Sequence, residues 1–145
     1  MVYMKVKTAP ATTDNITELL NRIIDFTERR KEVLARNLSD CHSADFVPKD
    51  LPVHEFADTL TYALAEHIRN KRLLLQDRQN VHFYSQGDFD ASAVTDNDAM
   101  ALLESNLQAY IQEQIRKLSE NLIHNRLAGE LLRQKRQKEM AFTGL

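Results

Sequence analysis

Histidine, cysteine and clustered carboxylates are the side chains of this sequence with chemistry to offer, and their spacing limits what they can do. His42, His54, His67, His82 and His124 lie 12 or more residues apart, so none makes the i, i+4 helical pair that puts two imidazoles on one metal ion. Cys41 is followed by His42, but consecutive side chains project in different directions, which denies the thiol its activating base. One thiol also excludes an intramolecular disulfide framework and a multi-thiolate zinc site. Asp88, Asp90, Asp96 and Asp98 share charge with a calcium loop but lack the central glycine and closing glutamate of an EF-hand. Arg133, Lys135, Arg136 and Lys138 have no aromatic residues among them for base stacking, and cations complement the C-terminal end of a helix dipole. The expectation is a protein without catalytic, metal or cofactor site and without a nucleic-acid partner.

The elements that position these residues are mainly helical. The 145 residues include only three glycines and carry 19 basic against 21 acidic side chains, which leaves little for phosphate-cradling loops and no basic excess. The length suits a single domain, 1–145. No run approaches the roughly 20 apolar residues of a membrane span, and the N-terminal residues have no apolar run of the secretory-signal kind.

Residues 1–13, ending in Thr-Ala-Pro-Ala-Thr-Thr, read as a mobile tail. An N-terminal helix over 14–38 follows, opened by an Asn15/Glu18 capping box. Its apolar stripe is Ile16, Leu19, Ile23, Phe26 and Val33, and Glu28, Arg29, Lys31, Glu32 and Arg36 make a solvated face. Periodicity stops over 39–52, an extended connector containing two prolines. Phe56, Leu60, Leu64 and Ile68 then mark a middle helix over 53–72. A polar loop is expected over 73–96, with Val81-His82-Phe83-Tyr84 as a short strand or extended patch and Gly87-Asp88-Phe89-Asp90 as a turn.

The C-terminal helix, 97–140, carries the seam Leu103, Leu107, Ile111, Ile115, Leu118 and Leu122. Unbroken it would extend about 66 Å, against about 38 Å for the diameter of a compact chain of this length. Either it breaks near Gly129, or it overhangs and buries its stripe against the first helix and other subunits. Long helices at both ends around a polar middle suit an α-helical hairpin or coiled coil that polymerises.

One stretch is more specific. Arg30-Lys31-Glu32-Val33-Leu34-Ala35-Arg36-Asn37-Leu38 and the residues following it to Phe46 and Lys49-Asp50-Leu51 resemble the N-terminal signature of the bacterial flagellar basal-body rod protein family. The likeness is greatest to its FlgB-type proximal members. Their pattern, R-Q-x-V-L-A-x-N-I-A-N-A-D-T-P-G-Y-x-x-R-D-L, aligns without a gap. Asn37, Leu38, Phe46, Lys49, Asp50 and Leu51 match it, while Ser43-Ala44-Asp45 stands where the family has Thr-Pro-Gly and so lacks its turn residues. Pro52-Val53-His54-Glu55-Phe56 is similar to the segment that follows the signature. Phe56 and Leu60 fit the pattern that early flagellar substrates present to the export gate, and Asn106 and Tyr110 match the Asn-x-x-x-Tyr of the family's last helix. Residues 73–95 and those past about Leu132 are not covered.

The resemblance implies a structural subunit of the basal-body rod. Its terminal helices would polymerise, with other rod subunits and basal-body components, into the periplasmic drive shaft. The chain would leave through the flagellar export apparatus without a cleaved signal, forming homo- and hetero-oligomers and spanning no membrane itself. The rival reading is a cytoplasmic helical adaptor or chaperone that binds a partner through the same amphipathic helices.

Overall fold

Asp14, one residue before the expected cap, starts the first helix: its carboxylate accepts the Thr17 backbone N–H at 2.8 Å, satisfying one of the amides a helix start leaves open. The computed structural model describes residues 14–85 and 87–143; the tail expected over 1–13 lies outside the described residues. Helix α1 runs Asn15–Ser39. The Asn15/Glu18 capping box does not form: the Glu18 N–H it would use donates to the Asp14 carbonyl at 3.1 Å. The Asn15 amide lies 3.1 Å from His67 Nδ1 and donates to the Lys71 carbonyl at 3.4 Å, while Glu18 faces Arg22 at 3.5 Å.

The connector turns through 40–45 and ends in a two-residue strand, β1 (Lys49–Asp50). Helix α2 (Val53–Asn70) follows and stops at Lys71, whose φ of 59° is left-handed and ends the helical path. The expected polar loop is more ordered than its composition suggests. It holds a hairpin of β2 (Val81–Phe83) and β3 (Phe89–Ala91), and then β4 (Val94–Thr95), which pairs antiparallel with β1. Phe89, expected in a turn, pairs with Phe83 and is fully buried. Three-residue strands are too short for alternation to register in the sequence. Gly87 supplies the turn with a φ of 89°, and the Arg22 guanidinium donates to its carbonyl.

The inner face of this hairpin completes an aromatic core. Phe26, Leu51, Phe56, Val81 and Phe89 are buried together, with Phe26 stacked on Phe56 at 4.0 Å. Arg29, expected in solvent, lies over the Phe89 ring at 4.2 Å and donates to the Phe89 carbonyl at 2.7 Å. It thereby joins a charge to an aromatic face and an open backbone acceptor.

The C-terminal helical region is two helices, α3 (Asn97–Ser105) and α4 (Leu107–Thr143). The break is at Asn106, not near Gly129. Asn106 takes an extended backbone, φ −157° and ψ 89°. Its side chain then accepts the Ala109 N–H at 3.1 Å and its carbonyl the Tyr110 N–H at 3.0 Å, so it ends one helix and caps the next. Gly129 sits in the continuous part of α4 with open space beside it. At 1.5 Å per residue α4 still extends about 55 Å. It packs antiparallel along α1, from Asn37 beside Gln114 to Asp14 beside Lys135, and residues 136–141 are exposed. The fold is thus mainly α, with long first and last helices packed on each other.

Candidate assembly interface

The helical hairpin is held by a line of polar contacts. At its closed end Asn37, 1% exposed, treats the connector as a neighbouring strand would. Its amide donates to the Lys49 carbonyl at 2.8 Å, and its oxygen accepts the Lys49 N–H at 3.1 Å. The same amide donates to Gln114 Oε1 at 2.8 Å. Tyr110 Oη donates to the Asn37 carbonyl at 2.7 Å. Burial pushes the Tyr110 phenol up to about 12, with Cys41 and Asp96 adding to the effect, so it remains a donor across the neutral range.

One turn along, charges continue the line. Arg30 grips Asp50 through Nε at 2.8 Å and Nη2 at 2.9 Å, a two-pronged geometry that only a guanidinium provides. Lys117 of α4 reaches Asp96 at 2.5 Å and Asp50 at 3.6 Å. Asp96 also caps α3 by accepting the Ala99 N–H at 3.0 Å. Burial alone would raise the Asp96 carboxyl, but Lys117 and the capping amide outweigh it and hold the group below the usual carboxylate range. This network joins α1, β1, α3 and α4.

Further on, Asn121 donates to the Thr27 carbonyl at 2.8 Å, and Asn125 to Thr27 Oγ1 at 2.9 Å and Glu28 at 3.0 Å. Only then does the seam become apolar, with Leu20 against Ala128 and Leu132. Lys135 closes it on Asp14. Sliding the helices by one turn would strand several of these buried groups, at about 1–3 kcal/mol each, so the seam fixes register more than it adds adhesion.

The residues expected to form the assembly core are distributed differently. Leu19 and Phe26 are buried, with Phe26 in the aromatic core, and Ile16, Ile23 and Val33 are half-buried. Leu103, Ile111 and Leu118 are half-buried; Leu107, Ile115 and Leu122 are exposed. The α4 face turned to α1 is Tyr110, Gln114, Asn121, Ala128 and Leu132, and the apolar run lies beside it. Arg30, Thr27, Gln114, Lys117, Asn121 and Asn125 were not legible as contacts. Their three- and four-residue steps were available as a signal, but polar side chains at those steps read as a solvent face.

The signature residues come together. Asn37, Lys49, Asp50 and Tyr110 form the closed end, Leu51 enters the aromatic core, and Asn106 opens α4. Leu38 and Phe46 are half-buried, and Phe46 lines a groove with Val33, Arg36 and Val47. Phe56 and Leu60 share one face of α2, Phe56 buried on Phe26 and Leu60 packed against the same core. Asp45 takes a φ of 63°, the left-handed conformation in which glycine is least strained.

Among the described residues no three His, Cys, Asp or Glu side chains are placed to hold a metal ion, and no helix is long and apolar enough to cross a membrane. Compared with protein-family models, curated proteins and solved structures, the chain matches none.

Proposed function

We propose that this chain is a structural subunit of the bacterial flagellar basal-body rod, of the FlgB type. The observation that carries the reading is the closed end of the hairpin. The resemblance rests on two stretches far apart in sequence, and the Tyr110 hydroxyl of the second donates to the Asn37 carbonyl of the first. Asn37 in turn holds Lys49 of the first stretch by its backbone, so the matched positions support one another physically.

Two further observations agree with it. Asp45, at the position where the family has glycine, takes a left-handed backbone, the conformation glycine adopts most readily. The exposed Leu107, Ile115 and Leu122 give a single subunit apolar surface to bury in an assembly. On this reading the two long helices form the rod's inner column and transmit torque across the periplasm. On this reading the chain is exported unfolded through the flagellar export apparatus, so Phe56 and Leu60 meet the export gate before the aromatic core closes over them.

The test is fractionation. An epitope-tagged copy in the parent bacterium should copurify with isolated hook–basal bodies and resist extraction by detergent. Recovery wholly in the cytoplasm, bound to a soluble partner, would contradict the rod reading and favour an adaptor.

A further inference from the structure

Helices α2 and α4 finish at the same end of the molecule, because both run antiparallel to α1. Phe56 stacks on Phe26 and, further along α2, His67 lies beside Asn15. On the other side α4 passes from Gln114 beside Asn37 to Lys135 beside Asp14. The start of α1 is therefore flanked by two helix C-terminal ends, and α4 continues about 12 Å beyond Lys135.

These two ends combine apolar exposure with positive charge. Ile68 and Met140, 68% and 70% exposed, are the most exposed large apolar side chains among the described residues, and each lies in the final turn of its helix. Next to them along the chain are Arg69, Lys71, Arg136 and Lys138, all exposed and, among the described residues, without a carboxylate in ion-pair reach. The carboxylates of this end are already engaged: Asp14 and Glu139 by Lys135, Glu66 by Arg72 and Glu130 by Arg133. The stretch of sequence leading into Asp14 adds Lys5 and Lys7 and contains no acid. A chain of formal net charge −2 thus gathers positive charge at one end.

Helix dipoles account for part of this. Arg69 and Lys71 stand at the end of α2, where cations are favoured. The last turn of α4 carries no cation, and Arg136 and Lys138 stand in the turns before it, where the dipole effect has faded.

We infer that this end of the molecule binds the surface of an anionic lipid bilayer without crossing it. Arg69, Lys71, Arg136 and Lys138 meet the headgroups, and Ile68 and Met140 enter the boundary between headgroups and acyl chains. Cations beside protruding aliphatic side chains are the combination such a surface favours. A nucleic acid would engage the cations but not Ile68 and Met140, since bases stack on aromatic rings. Each Lys or Arg near an anionic surface strengthens binding about fivefold, and the four together on the order of several hundredfold. Binding of this kind does not depend on the rod reading.

Vesicle flotation tests it. The full-length chain is mixed with vesicles of phosphatidylcholine alone, or of phosphatidylcholine and phosphatidylglycerol in equal parts. It should float with the anionic vesicles only, and added salt should release it. Arg69→Gln with Lys71→Gln, and Arg136→Gln with Lys138→Gln, should each weaken binding by about 20-fold. Arg36→Gln with Arg126→Gln removes the same charge from exposed positions elsewhere and should leave binding close to unaltered. Ile68→Ser with Met140→Ser should weaken vesicle binding about tenfold while retention on heparin, a polyanion with no apolar layer, stays the same. Circular dichroism checks that each variant folds. Equal flotation with both vesicle types, flotation with neither, or losses from the Arg36 and Arg126 pair as large as from the two helix ends would overturn the inference. Tighter binding to single-stranded RNA than to anionic vesicles, insensitive to Ile68 and Met140, would also overturn it and make the partner a nucleic acid.

Discussion

Tyr110 donates its phenolic hydrogen to the carbonyl of Asn37 at 2.7 Å, across 73 residues of chain. The contact places the start of α4 against the end of α1 while the Asn37 side chain holds the connector. Removing the donor alone and removing the side chain should differ. Tyr110→Phe deletes one hydrogen bond and should cost about 1–2 kcal/mol in urea unfolding. Asn37→Ala strands the Lys49 backbone and the buried Gln114 together and should cost more, about 3 kcal/mol. Equal, small losses would mean the closed end is not a cooperative unit.

Asp50 is wedged between Arg30 and Lys117 with little access to water. Asp50→Ala leaves the Arg30 charge buried without a partner and should destabilise by about 3–5 kcal/mol. Arg30→Met combined with Asp50→Leu should recover much of that loss, since paired apolar replacements avoid the stranded charge. Thermal unfolding of the unaltered chain and the two variants checks the order.

The pH profile has two edges. Asp14 and Asp96 are both held below the usual carboxylate range: burial opposes, but Lys135 and the Thr17 amide act on the first, Lys117 and the Ala99 amide on the second. A depressed folded pKa stabilises above the unfolded value of 3.8 and is lost as pH falls through the folded one. Asp96→Asn should therefore lower stability at neutral pH and make the decline below about pH 4 shallower. Tyr110 has the opposite sign. Its pKa is raised by burial to about 12 from 10.0, so its contribution is complete below pH 10.0 and lost as pH rises towards 12. Tyr110→Phe should flatten that alkaline edge, read by circular dichroism alongside phenolate absorbance.

Asp45 tests the turn. A β-branched residue at a φ of 63° is strained by roughly 1–2 kcal/mol, whereas glycine is at ease there but gains entropy when unfolded. Asp45→Val should destabilise by about that amount and Asp45→Gly should be neutral or mildly stabilising. The reverse order in chemical denaturation would show that the turn does not need its left-handed residue.

Much of this architecture could be read from the chain. The apolar steps of Ile16 to Val33 and of Phe56 to Ile68 mark α1 and α2 within a residue or two, although in α2 only Phe56 and Leu60 turn to the core and Leu64 and Ile68 are exposed. The site was harder. Hydrophobic spacing selects the Leu107-to-Leu122 stripe on α4, yet the face against α1 is built on Gln114, Asn121 and Asn125, which carry no apolar mark. Asn106 was legible as the last helix's matched asparagine but not as its start, since Leu103 and Leu107 keep their spacing across the break. Phe89 was hidden in a three-residue strand, its burial decided by Phe26 and Phe56 far away in sequence. Periodicity could not mark the closed end, because it weighs polarity and not the identity of Asn37, Lys49 or Tyr110.

The central claim is tested most directly by electron microscopy of basal bodies from a strain lacking this chain. The account predicts membrane rings without a rod, hook or filament, restored by the intact chain but not by one carrying Asn37→Ala and Tyr110→Phe together. Complete rods and normal motility in the deletion strain would contradict it.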